Sequence, residues 1–225
     1  LYNFRHIATG FVEAHIARAF VDLNRAPHDR PPENPDGVVK TRTATTREVY
    51  LPGKFPDDKL ISSLLERYYY PYHGEIEEAV RRPGVLAGID CHSMMPAAPA
   101  FAQRPGENRP AVCIGNGGAA GGGGGGRLTC SPAAAVALAE AVGNALGLRP
   151  RDVTLNQPFA GGYIARKHSS SGIPWLQLEI NRRLYIEYGP GGEITARPSR
   201  VEELNARLES ALEQFCKVFS EDIRP

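Results

Sequence analysis

The run Gly84-Val85-Leu86-Ala87-Gly88-Ile89-Asp90-Cys91, followed by His92-Ser93, is apolar, bounded by glycine and closed by polar residues. It reads as a β-strand that ends on functional groups. Four more short apolar runs share the pattern, at 20–23, 111–114, 153–155 and 175–180. Helical spacing fills the intervals. Residues 57–82 start acidic and carry Leu60, Ile61, Leu64 and Leu65 on one face. Ser131-Pro132 supplies an N-cap and a first-turn proline for a helix over 133–146. Ser199 and Glu202 form a capping box ahead of Leu204, Leu208, Leu212, Phe215 and Phe219, which predicts a helix over 199–219. Strands alternating with helices predict an α/β chain: a three-layer α/β/α sandwich around a mixed, mostly parallel sheet. In such sheets ligands bind where strands end.

The 225 residues are 42% hydrophobic and 23% charged, enough for one large domain with its own core. No apolar run reaches the roughly 18 residues of a membrane-spanning helix. A net charge of +1 offers no field for a polyphosphate backbone, so a small molecule is the expected partner, not nucleic acid or membrane. Cys91, Cys113, Cys130 and Cys216 are scattered, which reads as reduced thiols and places the chain in the cytoplasm. Residues 26–56, rich in Pro, Asp, Thr and Arg, form a long excursion from the regular elements. Residues 115–126 are almost all glycine, with nothing to pack, and are expected to be a mobile loop. Their start, Gly115-Asn116-Gly117-Gly118-Ala119-Ala120, formally matches a dinucleotide fingerprint. The match is weak, because six more glycines separate it from the helix whose N-terminus would face the pyrophosphate.

Four strand ends present polar groups. Asp90 and His92, two apart, project to one side of a strand as a ligand or base, or as a hydrogen-bonded rim histidine. Gln177, Glu179 and Asn181 alternate with Leu176, Leu178 and Ile180. They form either a half-exposed edge or a carboxylate held in a cleft as general base. Asn24 and Arg25 close another run, as an amide and a guanidinium suited to a carboxylate or as an ordinary turn. The Gly161-Gly162 turn leads to Arg166, a bidentate anion contact or a solvated arginine. His73 and His168 read as structural.

Together, DLNR (22–25), YYYPYH (68–73), DCHSM (90–94), CSP (130–132), NQPFAGGYIARKH (156–168) and QLEINRRLY (177–185) resemble the N-formylglutamate amidohydrolase family in the same order. The resemblance implies a fold like that of zinc carboxypeptidases and release of formate from N-formyl-L-glutamate in histidine degradation. It implies one zinc ion with His92 as a ligand, Glu179 as general base, and Asn24, Arg25 and Arg166 as contacts for the substrate's carboxylates. Family members carry a Pro-His-Ser-Gly-like segment upstream of DLNR that supplies another ligand. Nothing before Arg18 matches it, since His6 and His15 lack that context. The chain is therefore expected to be a single amidohydrolase domain, 1–225, lacking its N-terminal segment. Two alternatives follow: an amidohydrolase for another N-acyl amino acid, or a non-catalytic binder of small dicarboxylates with an incomplete zinc site.

Overall fold

A computed structural model describes residues 1–43, 45–100, 102–121, 126–190 and 193–222. Among them, β1 (Gly88–Met94), β2 (Val112–Gly115), β3 (Val153–Leu155) and β4 (Trp175–Asn181) form one sheet in the order β1-β4-β2-β3. β1 runs parallel to β4, β2 parallel to β3, and β2 antiparallel to β4, so the sheet is mixed. A separate hairpin pairs β5 (Ile186–Tyr188) with β6 (Ile194–Ala196).

Period-two alternation gives the sheet two unlike faces. Val112, Ile114, Leu176, Leu178 and Ile180 face α3 (Pro132–Leu146) and α5 (Pro198–Asp222). The small residues Ala134, Ala135 and Ala141 of α3 are buried there beside Leu204, Leu208, Ala211 and Phe215 of α5. Leu138, Leu176, Leu178, Leu204 and Leu208 are all 0% exposed. Burying each such side chain contributes about 1.5–3 kcal/mol, which makes this layer the main source of stability. The opposite face packs Trp175 against Ile76, Ile164 and Ala165. These come from α2 (Tyr70–Ala79) and α4 (Tyr163–His168), completing three layers. No helix of the described residues is long and apolar enough to cross a membrane.

Local chemistry explains where the elements start. The Asp57 side chain accepts a hydrogen bond from the Leu60 amide at 2.8 Å and caps α1 (Asp58–Leu64). Ser131 accepts one from Ala134 at 3.2 Å and caps α3, as its Ser-Pro pair predicts. The long helix expected over 57–82 is interrupted by a π-helical turn, Leu65–Tyr69, which turns Leu65 and Tyr69 inward. α5 begins at Pro198, so Ser199 lies within its first turn instead of capping it.

The expected strand over 84–91 starts four residues later and extends to Met94, because Gly84 turns the chain with φ of +84°. The expected strand over 20–23 is not a strand. Val21 and Leu23 are buried, but the backbone there is held by Asp22 N–H donating to the Val38 carbonyl at 2.7 Å, and by the Asp22 side chain. In the glycine-rich loop, the amides of Gly117 and Gly121 donate to Ala160 and Leu155, and Asn156 holds Asn116 through paired amide contacts. Residues 122–125, on which much of the expected mobility falls, lie outside the described residues. α3 opens only at Pro132, so no helix N-terminus follows the glycine motif as a dinucleotide site requires.

Candidate active site

In-register pairing of β1 with β4 sets His92 beside Glu179, Asp90 beside Gln177 and Met94 beside Asn181. Paired residues of parallel strands share a face, so His92 and Glu179, far apart in sequence, project together on the face opposite α3 and α5. On the other flank of Glu179, across the antiparallel pair, stands Cys113.

Asp90 and His92 form a dyad. Oδ1 of Asp90 lies 2.8 Å from Nε2 of His92. Asn24 completes it: Nδ2 sits 3.2 Å from Oδ2 of Asp90 and 3.0 Å from Nε2 of His92, and Oδ1 accepts from the Ile164 amide at 2.7 Å. A carboxylate cannot donate, so His92 Nε2–H donates to one Asp90 oxygen and Asn24 to the other. Burial disfavours charge on His92, but the Asp90 carboxylate more than offsets it, and its pKa ends above the ordinary histidine value. Glu179 is 6% exposed, and one of its oxygens accepts from Gln177 Nε2 at 2.9 Å. Burial pushes its carboxyl above the usual range, while His92 and Arg18 pull it part of the way back. A buried carboxylate with a raised pKa takes up a proton more readily than an exposed one. Oε1 of Gln177, also buried, has no hydrogen-bond partner among the described residues.

The loop bearing Asn24 is fixed from below. Asp22, 1% exposed, meets Arg18 Nε and Lys40 Nζ at 2.9 Å each. Burial works against its charge, but Arg18 and Lys40 outweigh it and hold its pKa low. Tyr69 O–H donates to the Arg25 carbonyl at 2.8 Å, and His73 Nε2–H to the Leu23 carbonyl at 3.1 Å. A cavity of about 1120 Å³ runs along the outer edge of β1, lined by Arg18, Asn24, Asp90, His92 and Trp175 among others. Glu179 lies one strand inward of it.

The expected site residues therefore divide. His92, Glu179 and Asn24 come together, with Asp90 between His92 and Asn24. Arg25 does not join them: its guanidinium pairs with Asp36 and approaches Asp22. Arg166 is exposed and donates to the Gly161 carbonyl at 2.7 Å. A catalytic zinc needs about three protein ligands. Among the described residues no three His, Cys, Asp or Glu side chains converge on one point, and the Nε2 of His92 is already turned to Asp90. These residues do not by themselves fit the ion. Cys113, the cross-strand partner of Glu179, had no distinct signal in the sequence and is readable only from the alternation of β2.

A family model described as N-formylglutamate amidohydrolase matches residues 1–186. No curated protein matches the chain. Among solved structures, an N-formylglutamate amidohydrolase from Ralstonia eutropha JMP134 is similar with a TM-score of 0.62 at 20% identity, over 90% of this chain and 74% of that one. A gene product of Agrobacterium tumefaciens is similar with a TM-score of 0.55 at 16% identity, over 89% of this chain and 68% of that one. The two structures share the fold, and the match over 1–186 identifies the kind of protein: the chain belongs to the N-formylglutamate amidohydrolase family.

Proposed function

We propose that the chain hydrolyses the formamide bond of N-formyl-L-glutamate to formate and glutamate, with Glu179 as general base. The observation that carries this reading is the pairing of Glu179 with His92 across β1 and β4, in a chain of this family. Glu179 takes a proton from the attacking water, which adds to the formyl carbon, and returns it to the leaving amine. Gln177 fixes the base by donating to one of its oxygens. Asp90 stabilises positive charge on His92, and that charge in turn favours the ionised form of Glu179. Asn24 stands at the cavity wall, where a substrate carboxylate would be received. The reading places the enzyme in histidine degradation.

Glu179→Gln keeps the size of the side chain and removes the base. Formate release should fall by about 10²- to 10⁴-fold while substrate binding persists, measured by formate assay and calorimetric titration. Undiminished release would overturn the assignment. The incomplete donor set favours a second reading, a dicarboxylate-binding chain without turnover. Tight N-formylglutamate binding with no formate release from protein carrying less than about a tenth of an equivalent of zinc after reconstitution would establish it.

A further inference from the structure

We propose that Arg109 grips the side-chain carboxylate of the substrate and so sets the preference for an acidic N-formyl amino acid. The inference rests on the reading above and adds the specificity-determining contact.

The backbone around Arg109 is built onto the site. Asn181, two residues beyond Glu179 on the same face of β4, donates through Nδ2 to the carbonyls of Arg109 and Pro110 at 3.2 and 2.9 Å. The Arg109 amide donates to the Pro96 carbonyl at 2.9 Å. The guanidinium lies over the Phe159 ring, with its carbon 4.9 Å from the centroid. That ring is itself placed by the site, because the Phe159 carbonyl accepts from the thiol of Cys113, the cross-strand partner of Glu179, at 3.3 Å.

A guanidinium stacked on an aromatic ring has its plane fixed and its N–H edge free to meet a carboxylate bidentately. In Arg109 that capacity is unused. Its Nε is buried without a hydrogen-bond partner, and among the described residues no acid lies within ion-pair distance of it. Burial lowers its pKa from the ordinary arginine value, with the field of Glu179 acting in the opposite direction. The other cations near the site are already engaged: Arg18 and Lys40 with Asp22, Arg25 with Asp36, Arg166 with the Gly161 carbonyl. Arg109 also precedes β2, on one side of Glu179, while Asn24 lines the cavity on the β1 side. A dicarboxylate laid across the base would find a receptor at each end.

The test compares binding of N-formyl-L-glutamate and N-formyl-L-glutamine, which differ only in the group Arg109 would hold. Titration calorimetry on the native chain, Arg109→Gln and Arg109→Lys is accompanied by a formate assay. The native chain should bind the acid at least about tenfold more tightly than the amide, as expected for one charge-assisted contact. Arg109→Gln should abolish the difference by weakening the acid alone, and Arg109→Lys should restore part of it. Equal binding of the two ligands by the native chain, or an unchanged preference in a folded Arg109→Gln variant, would overturn the inference. Formate release with no Arg109-dependent preference would leave the activity standing without it. An Arg109-dependent preference without formate release would uphold the contact and refute the activity.

Discussion

An alanine at Gly162 would place its methyl group inside the Asn24 carboxamide. The backbone at Gly162 has φ of −90°, which alanine adopts freely, so the clash is purely with Asn24. The displaced amide would lose its contacts with Asp90 and His92. Gly162→Ala should therefore reduce formate release by about 10²-fold with little change in thermal unfolding, because misplacement of a positioned group by about 1 Å costs that much. His92 and Glu179 could be placed on one face from side-chain alternation in a strand, whereas Asn24 was singled out at the end of the run 20–23, which is not a strand. The orientations of Arg25 and Arg166 were not legible. Their partners, Asp36 and the Gly161 carbonyl, are set by how the loops fold back. Arg109 was hidden for the same reason, since its stacking on Phe159 joins residues from opposite ends of two strands.

Two helices on the site's face are joined through a pair of histidines. His73 of α2 and His168 of α4, each 3% exposed, approach at 2.8 Å between Nδ1 and Nε2, and their rings stack. Because His73 Nε2–H donates to the Leu23 carbonyl, its Nδ1 accepts from His168 Nε2–H, which requires His73 to be neutral. Burial lowers both pKa values from 6.5 to about 4, helped for His73 by His168 and for His168 by Lys167. Between those values the unfolded chain binds protons that the folded chain does not. Stability is therefore complete above pH 6.5 and is lost as pH falls toward about 4. Each proton costs about 1.4 kcal/mol per pH unit. Urea unfolding across that window should show the slope, and the double variant His73→Gln/His168→Gln should flatten it. Both histidines read as structural from the sequence, but their pairing joins residues 95 apart and left no sequence signal. The run at 20–23 shows the opposite failure: a short apolar stretch looks alike in a buried strand and in a buried loop pinned by one carboxylate.

The layered architecture follows from alternation and helical spacing, which is why it was readable, whereas the strand order was not. That order leaves β1, which carries His92, at the outside of the sheet, with β4 as its one strand partner among the described residues. Residues 2–16 pass alongside without forming a strand, and their bonds to this region include Tyr2 O–H to the His92 carbonyl and Arg82 to the Thr9 carbonyl. An exposed strand margin is a template for further pairing, and proteins usually blunt it with charge, proline or a covering segment. Here no residue of β1 is exposed and Tyr2, Phe4, Ile7 and Phe11 pack in the same cluster as Ile89 and Cys91, so copies of the chain should not pair margin to margin. Light scattering over rising concentration should show a constant mass; an apparent mass that climbs with concentration would mean that residues 2–16 leave the margin open. The same margin borders His92, so the segment that covers it also walls the way into the cavity.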